Sequence, residues 1–158
     1  TALPGGEPTV LMAAADTDTS ARARKTLAPV AKALGLKLMA EIDSMDYGGF
    51  VEHLDTHVGC GDTVLACWHH DEMPDLVKYL GAPNYPYGFV KWPKHCDSET
   101  FLDPPTLPGS KCYDMIWAMP LSKEFRNSSH WSVGWIAPQH QGFGGTADSP
   151  CMQDLEPL

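Results

Sequence analysis

One stretch of 19 residues, 63–81, constrains the fold most, because a short apolar run, two adjacent histidines and a helical repeat follow one another there. The apolar run is typical of a buried strand. The apolar side chains after it recur at i, i+3, i+4 and i+7, one face of a helix: Met73, Leu76, Val77 and Leu80. Asp71 is the predicted N-cap and Gly81 the predicted stop of this helix. His69 and His70 lie between strand and helix, where α/β proteins usually bind ligands.

Strand and helix patterns also alternate ahead of this stretch. Apolar runs predict strands over residues 9–14 and 36–42. Helical spacing predicts one helix that ends at Gly35 and another over residues 47–58. This alternation is typical of βαβ units. The sequence therefore predicts an α/β fold, in which a mainly parallel sheet lies between helices on both faces as a three-layer sandwich.

The remainder of the chain has a less regular pattern. Two further apolar runs, 113–119 and 132–137, predict strands that pair as a hairpin at the edge of the sheet. We expect the whole chain, residues 1–158, to form one domain. Its predicted segments are strand–helix units (9–81), a long Pro-rich loop (82–110), C-terminal strands (111–140) and an irregular tail (141–158).

Composition and charge exclude several classes of partner. The net charge of −9 argues against nucleic acid and against an anionic membrane surface. No apolar run approaches the roughly 20 residues that span a bilayer. Five cysteines without a CxxC pair indicate neither a zinc ribbon nor a full disulfide framework, so the compartment stays open between secreted and cytoplasmic. No cofactor is expected. Because the sequence starts at Thr1 rather than Met, we expect a processed product or a fragment.

A basic segment opens the first predicted helix. Five of the 11 lysines and arginines lie between Arg22 and Lys37, directly after a predicted strand. Amides at a helix start together with a guanidinium fork favour an oxyanion. This segment is therefore either an anion site, with Ser20 and Arg22 as its candidate ligands, or a solvated basic helix face.

Several motifs resemble the histidine phosphatase superfamily, which has the phosphoglycerate mutase-like fold. They follow the family's order over roughly residues 9–140: Ser20-x-Arg22-Ala-x-x-Thr26, Val64-Leu-Ala-Cys-Trp-His-His70, Tyr113-Asp-Met-Ile-Trp117 and Ile136-Ala-Pro-Gln139. The resemblance implies that Arg22, with Ser20 beside it, holds the phosphate of a small phosphorylated molecule. It also implies that a histidine of the His69–His70 pair hydrogen-bonds a phosphate oxygen.

The chain departs from that family at the nucleophile. The family's nucleophile is a histidine in an Arg-His-Gly motif at the end of the first strand, and no Arg-His-Gly occurs here. The domain thus looks truncated at its N-terminus relative to the family. Either an N-terminal segment or a separate chain completes the fold and supplies phosphatase activity, or the protein is a non-catalytic phospholigand-binding pseudoenzyme.

The resemblance leaves two role assignments open. A Gly-His-x-x-x-Ile-Pro pattern selects His69, whereas a Trp-x-His-x-x-Ile-Pro pattern selects His70, and the local sequence fits both. Glu41 lies where relatives carry the carboxylate that protonates the leaving oxygen, and Asp43 competes with it. A proton donor of this kind works best with a pKa near ambient pH, which requires partial burial.

Metal binding is the rival chemistry. His53 and His57 are one helical turn apart, and Cys60 follows three residues later. Imidazoles with that spacing and a thiolate can bind zinc. The set of candidate ligands is completed by His69, His70, His95 and Cys96. We do not assign a metal site from this pattern, and the His/Cys metal-binding protein remains an alternative.

Overall fold

A computed structural model describes residues 6–82, 115–123, 131–134 and 137–140. The chain forms two compact units, one of residues 1–92 and 118–136 and one of residues 93–117 and 137–158. Residues 83–110 of the predicted loop and the whole predicted tail lie outside the described residues. The single domain therefore stays a prediction.

A parallel sheet of three strands forms the centre of the first unit. Its elements are β1 (Val10–Ala14), α1 (Arg22–Leu34), β2 (Leu38–Ile42), α2 (Tyr47–His57), β3 (Val64–Cys67) and α3 (Met73–Tyr79). The strand order is β2-β1-β3, and both pairings are parallel. The predicted α/β fold with a parallel sheet is confirmed. No helix in the described part of the chain is long and apolar enough to cross a membrane.

Burial explains why β1 takes the central position. Four successive side chains of this strand, Leu11 to Ala14, are at most 1% exposed. Successive side chains of a strand point to opposite faces, so β1 is covered on both faces of the sheet. Leu27 from α1 and Leu54 from α2 belong to the same buried cluster. The apolar faces of α1 and α2 therefore cover the sheet.

The helix ends follow local sequence rules with one exception. Gly35 ends α1 in the left-handed conformation, with φ of 66°, as its lack of a Cβ allows. Asp46 caps α2 by accepting a hydrogen bond from the Gly49 amide at 2.8 Å. The prediction that Asp71 caps α3 is wrong, because the helix begins after Glu72 and no side chain caps it.

Four short strands follow in the C-terminal part of the sequence: β4 (Met115–Ala118), β5 (Leu121–Ser122), β6 (Ser132–Val133) and β7 (Ala137–His140). β5 pairs with β6 antiparallel, and β4 pairs with β7. Among the described residues, the predicted strands 113–119 and 132–137 thus do not pair as one hairpin at the edge of the parallel sheet. Each instead contributes to a separate two-stranded sheet.

A polar clamp fastens the β5–β6 ribbon to α2. The Asp55 carboxylate accepts a hydrogen bond from the Trp131 indole at 2.7 Å. It also forms an ion pair with the Lys123 ammonium, at 2.5 Å. The Lys123 ammonium also lies 4.8 Å from the centre of the Trp131 ring. Burial raises the pKa of Asp55, but these two partners outweigh it and hold the pKa below its usual value. The carboxylate is therefore the charge that joins the ribbon to the helix.

Two glycines with the same backbone conformation test how closely this ribbon packs. Gly61 and Gly81 both have φ of 89°, but only at Gly81 would a Cβ meet a neighbour, the Trp131 carbonyl oxygen at 2.5 Å. Gly61→Ala should cost about 1–2 kcal/mol of unfolding free energy from the positive φ alone. Gly81→Ala should cost clearly more, because a backbone carbonyl must also move. Urea unfolding of both variants measures the difference, and equal losses would contradict the close packing.

Candidate functional site

The carboxyl ends of β1 and β3 lie side by side. Ala13 is paired with Cys67 in the parallel ladder, and paired strands are about 4.8 Å apart. The segments that leave these two ends, residues 15–21 and 68–72, carry most of the candidate site residues. Such an edge is where open α/β sheets bind ligands.

A small turn leads from β1 into α1. The Thr17 amide donates to the Ser20 carbonyl at 2.8 Å, and the Thr17 hydroxyl accepts from the Ser20 amide at 3.0 Å. The Ser20 hydroxyl accepts a long hydrogen bond from the Arg22 amide, at 3.5 Å. The residue at the N-cap is Ala21, which offers no capping side chain. The turn thus brings Ser20 and Arg22 together at the start of α1.

The two arginines of α1 have different surroundings. Arg24 holds the Asp16 carboxylate through two nitrogens, at 2.9 and 2.6 Å, and this hydrogen bonding keeps the pKa of Asp16 below its usual value. The Arg22 guanidinium is exposed and makes no ion pair or side-chain hydrogen bond with any residue of the described chain. Asp16 therefore neutralises Arg24 and leaves the charge of Arg22 unbalanced.

A contact between α1 and the end of β3 brings the two halves of this edge together. Helix α1 packs against β3. Burial raises the pKa of the Cys67 thiol, and an interaction with the Thr26 side chain offsets part of that rise. Thr26 is one helical turn beyond Arg22, and Cys67 is two residues before His69. The start of α1 is thus held against the end of β3.

The chain after β3 is fixed by Trp68. This indole is 8% exposed, meets the Phe50 ring edge-on at 5.1 Å and donates to the Ser44 carbonyl at 2.8 Å. The half-buried His69 follows, and its carbonyl accepts from the amides of Glu72 and Met73 at 3.0 and 3.1 Å. This turn, rather than a capping side chain, starts α3.

His70 differs from its neighbour in its side-chain surroundings. The His70 imidazole is 44% exposed and lies 3.4 Å from the Asp71 carboxylate. No hydrogen bond or ion pair joins Arg22 to His69 in the described part of the chain. The structure therefore places these residues along one edge of the sheet, and their convergence on one ligand stays a prediction.

Tyr47 and Glu72 form a polar contact that the sequence did not suggest. The Tyr47 hydroxyl donates to the Glu72 carboxylate at 2.6 Å, and this bond is the main reason that the pKa of Tyr47 rises to about 12. The Tyr79 ring lies 5.9 Å from that of Tyr47. Tyr47 and Glu72 are 25 residues apart, so no local pattern announces their pairing. The contact fixes the turn that begins at His69 to the start of α2.

Glu41, the predicted proton donor, lies in exposed surroundings, and its role stays a prediction. It occupies an exposed position near the end of β2, the strand on the far side of β1 from β3. The competing residue Asp43 is exposed as well. The partial burial expected of a proton donor is therefore absent at Glu41.

The candidate metal ligands that the structure describes do not gather into one centre of three or more. In the described part of the chain, no three or more His, Cys, Asp and Glu side chains are placed to hold a metal ion. His53 and His57 stack on each other, whereas His95 and Cys96 lie outside the described residues. Burial lowers the pKa of His53, and the nearby charges of His57 and Lys37 add to this effect.

Comparisons with protein-family models, curated proteins and solved structures find no match to this chain. A proposal about function therefore rests on the sequence motifs and on the geometry of the sheet edge between β1 and β3.

The bond between Tyr47 and Glu72 predicts a specific pH dependence. The pKa of Tyr47 is about 12 in the folded protein and about 10 in an unfolded chain. The protonated hydroxyl therefore stabilises the fold fully below about pH 10, and this stabilisation is lost as the pH rises through about 12. Unfolding by urea at stepped alkaline pH should show this loss in the parent and not in Tyr47→Phe. Tyr79→Phe is the control that should keep it, and a parental profile in Tyr47→Phe would contradict the assignment.

Proposed function

We propose that this protein is a phosphomonoester-binding domain related to the histidine phosphatases. The phosphate of the ligand would lie between the start of α1 and the end of β3. The observation that supports this proposal best is the parallel pairing of β1 with β3, together with the packing of α1 against β3. Together they hold the Ser20–Arg22 motif and the His69–His70 motif at neighbouring positions on one edge.

The distances along the chain support a shared ligand. Arg22 lies one turn before Thr26, which is roughly 6 Å along the helix axis. His69 is two residues beyond Cys67, a span of at most about 7 Å. Both side chains extend several ångströms from the backbone, so a tetrahedral anion held by both is sterically reasonable.

Charge favours a phosphate at this place. Arg22 offers a planar fork of donors, which matches the oxygens of a phosphate. The free amides at the start of α1 add donors and the positive end of the helix dipole. Because Asp16 is engaged by Arg24, it does not compete for Arg22. An acidic protein with net charge −9 thus presents a local positive site.

His69 is the better candidate for the second ligand. Its backbone lies in a turn fixed by Trp68 on one side and by the bond from Tyr47 to Glu72 on the other. Restrained groups lose less entropy when they bind a ligand. The imidazole of His70 instead lies close to Asp71, which would compete with an anion for it.

The proposed fold is the three-layer sandwich of that superfamily. Parallel crossovers are almost always right-handed, and in the order β2-β1-β3 this handedness puts α1 and α2 on opposite faces of the sheet. The burial of β1 on both faces supports the same arrangement. No Arg-His-Gly motif supplies a nucleophile in this sequence, so the function proposed for these residues is binding.

Replacement of Arg22 tests the proposed phosphate site. Arg22→Ala should weaken the binding of inorganic phosphate by about 1.5–3 kcal/mol, the range for a hydrogen bond to a charged group. Lys32→Ala is the matched control, since it removes one exposed positive charge from the last turn of the same helix. Isothermal titration calorimetry measures both variants. If Arg22→Ala binds phosphate as the parent does, or if Lys32→Ala weakens binding equally, Arg22 is not a specific ligand.

A second experiment tests whether these residues turn the ligand over. In-line displacement requires a nucleophile aligned with the leaving group, and the resemblance gives His69 and His70 a role beside an equatorial oxygen. The 158-residue chain should therefore hydrolyse p-nitrophenyl phosphate barely above the buffer background. Strong hydrolysis that is lost in His69→Ala or His70→Ala would identify one of them as the nucleophile and overturn the assigned roles.

A further inference from the structure

The proposed phosphate site leaves two histidines of α2 unused. His57 is the last residue of that helix and His53 lies one turn before it, and their rings stack with centroids 4.1 Å apart and planes 20° from parallel. Residues at i and i+4 are neighbours on a helix surface. His57 is exposed and His53 is partly exposed, so solvent reaches the pair.

Two imidazoles one helical turn apart are close enough to share one metal ion. Zinc–imidazole bonds are about 2.0–2.1 Å long, which puts two nitrogens on one tetrahedral ion roughly 3.4 Å apart. Imidazole lone pairs lie in the ring planes, so the stacked rings, with planes 20° from parallel, must both turn about their side-chain torsions to direct a nitrogen at the same ion. The i, i+4 spacing on one helix face lets the side chains turn without movement of the backbone.

One imidazole has a backbone carbonyl beside its Nδ1. Nδ1 of His57 lies 3.2 Å from the backbone carbonyl oxygen of His53. When Nδ1 donates its proton to that carbonyl, the lone pair of the ring lies on Nε2. Metal-binding histidines usually make a second bond of this kind, because it fixes the tautomer and the ring orientation.

The charges around the pair both favour and oppose a cation. The pair lies at the carboxyl end of α2, where the helix dipole favours positive charge. The net charge of −9 also favours a cation. Lys37 is the nearby positive group and opposes one. An ammonium on a flexible side chain can move away from the site, whereas the helix end is fixed.

We propose that His53 and His57 form a two-imidazole binding site for a late first-row divalent cation, of the class of Ni²⁺, Cu²⁺ and Zn²⁺. Imidazole nitrogens suit these ions, and water would fill the remaining coordination positions. Cys60 is not part of the site, because no three side chains of the described chain gather to hold a metal. The site is separate from the proposed phosphate site and does not depend on it.

The test uses the full chain, NiCl2 as the probe and a rearranged variant as the control. Glu52→His/His57→Ala keeps the number of histidines and cysteines but puts the two imidazoles at i and i+1, which do not face each other on a helix. Calorimetry should show that Ni²⁺ binding weakens at least tenfold in this variant, in His53→Ala and in His57→Ala. Cys60→Ser should bind as the parent does. All substituted positions lie outside the buried core, and circular dichroism verifies that each variant is folded.

A second readout identifies the ligands directly. Ni²⁺ is paramagnetic, so the ring signals of His53 and His57 should broaden first in an NMR titration of the parent. If Glu52→His/His57→Ala binds Ni²⁺ as tightly as the parent, or if other histidines broaden first, the proposal is wrong. Weakening of Ni²⁺ binding in Cys60→Ser would also contradict it, because a thiolate would then be a ligand.

Discussion

The parallel pairing of β1 with a strand on each side is the constraint on which the rest of the first unit depends. β1 has no edge exposed to solvent, and both of its faces are buried, so its sequence is an unbroken apolar run. Parallel pairing also brings the carboxyl ends of all three strands to one edge of the sheet. The segments that follow β1 and β3 therefore become neighbours although about 50 residues separate them in the chain.

Two long-range polar contacts give that edge a definite shape. The bond from Trp68 to the Ser44 carbonyl ties the segment after β3 to the segment after β2, and the bond from Tyr47 to Glu72 ties the start of α3 to the start of α2. These contacts hold the start of α3 in place, since that helix has no capping side chain. The turn that carries His69 is consequently held by its neighbours in space rather than by its own sequence.

The sequence predicted what depends on local periodicity and missed what depends on distant pairing. Apolar spacing located all three strands of the parallel sheet and all three helices, and Gly35 marked the end of α1 because only its own backbone conformation was at issue. The prediction that Asp71 caps α3 was wrong, because the backbone amides at the start of that helix donate to the His69 carbonyl instead. The role of Asp55 was invisible, because both partners lie in a ribbon that is remote in sequence.

The same distinction separates Arg22 from Glu41 as functional candidates. A guanidinium stays charged in any surroundings, so Arg22 needs only an accessible position and freedom from a competing carboxylate, and Asp16 is engaged elsewhere. A proton-donating carboxyl instead depends on partial burial. Glu41 is exposed on β2 and lacks that burial. The edge between β1 and β3 thus presents the exposed, fixed charge of Arg22, on which the proposed anion site rests, whereas Glu41, the predicted proton donor, lies in an exposed position on β2.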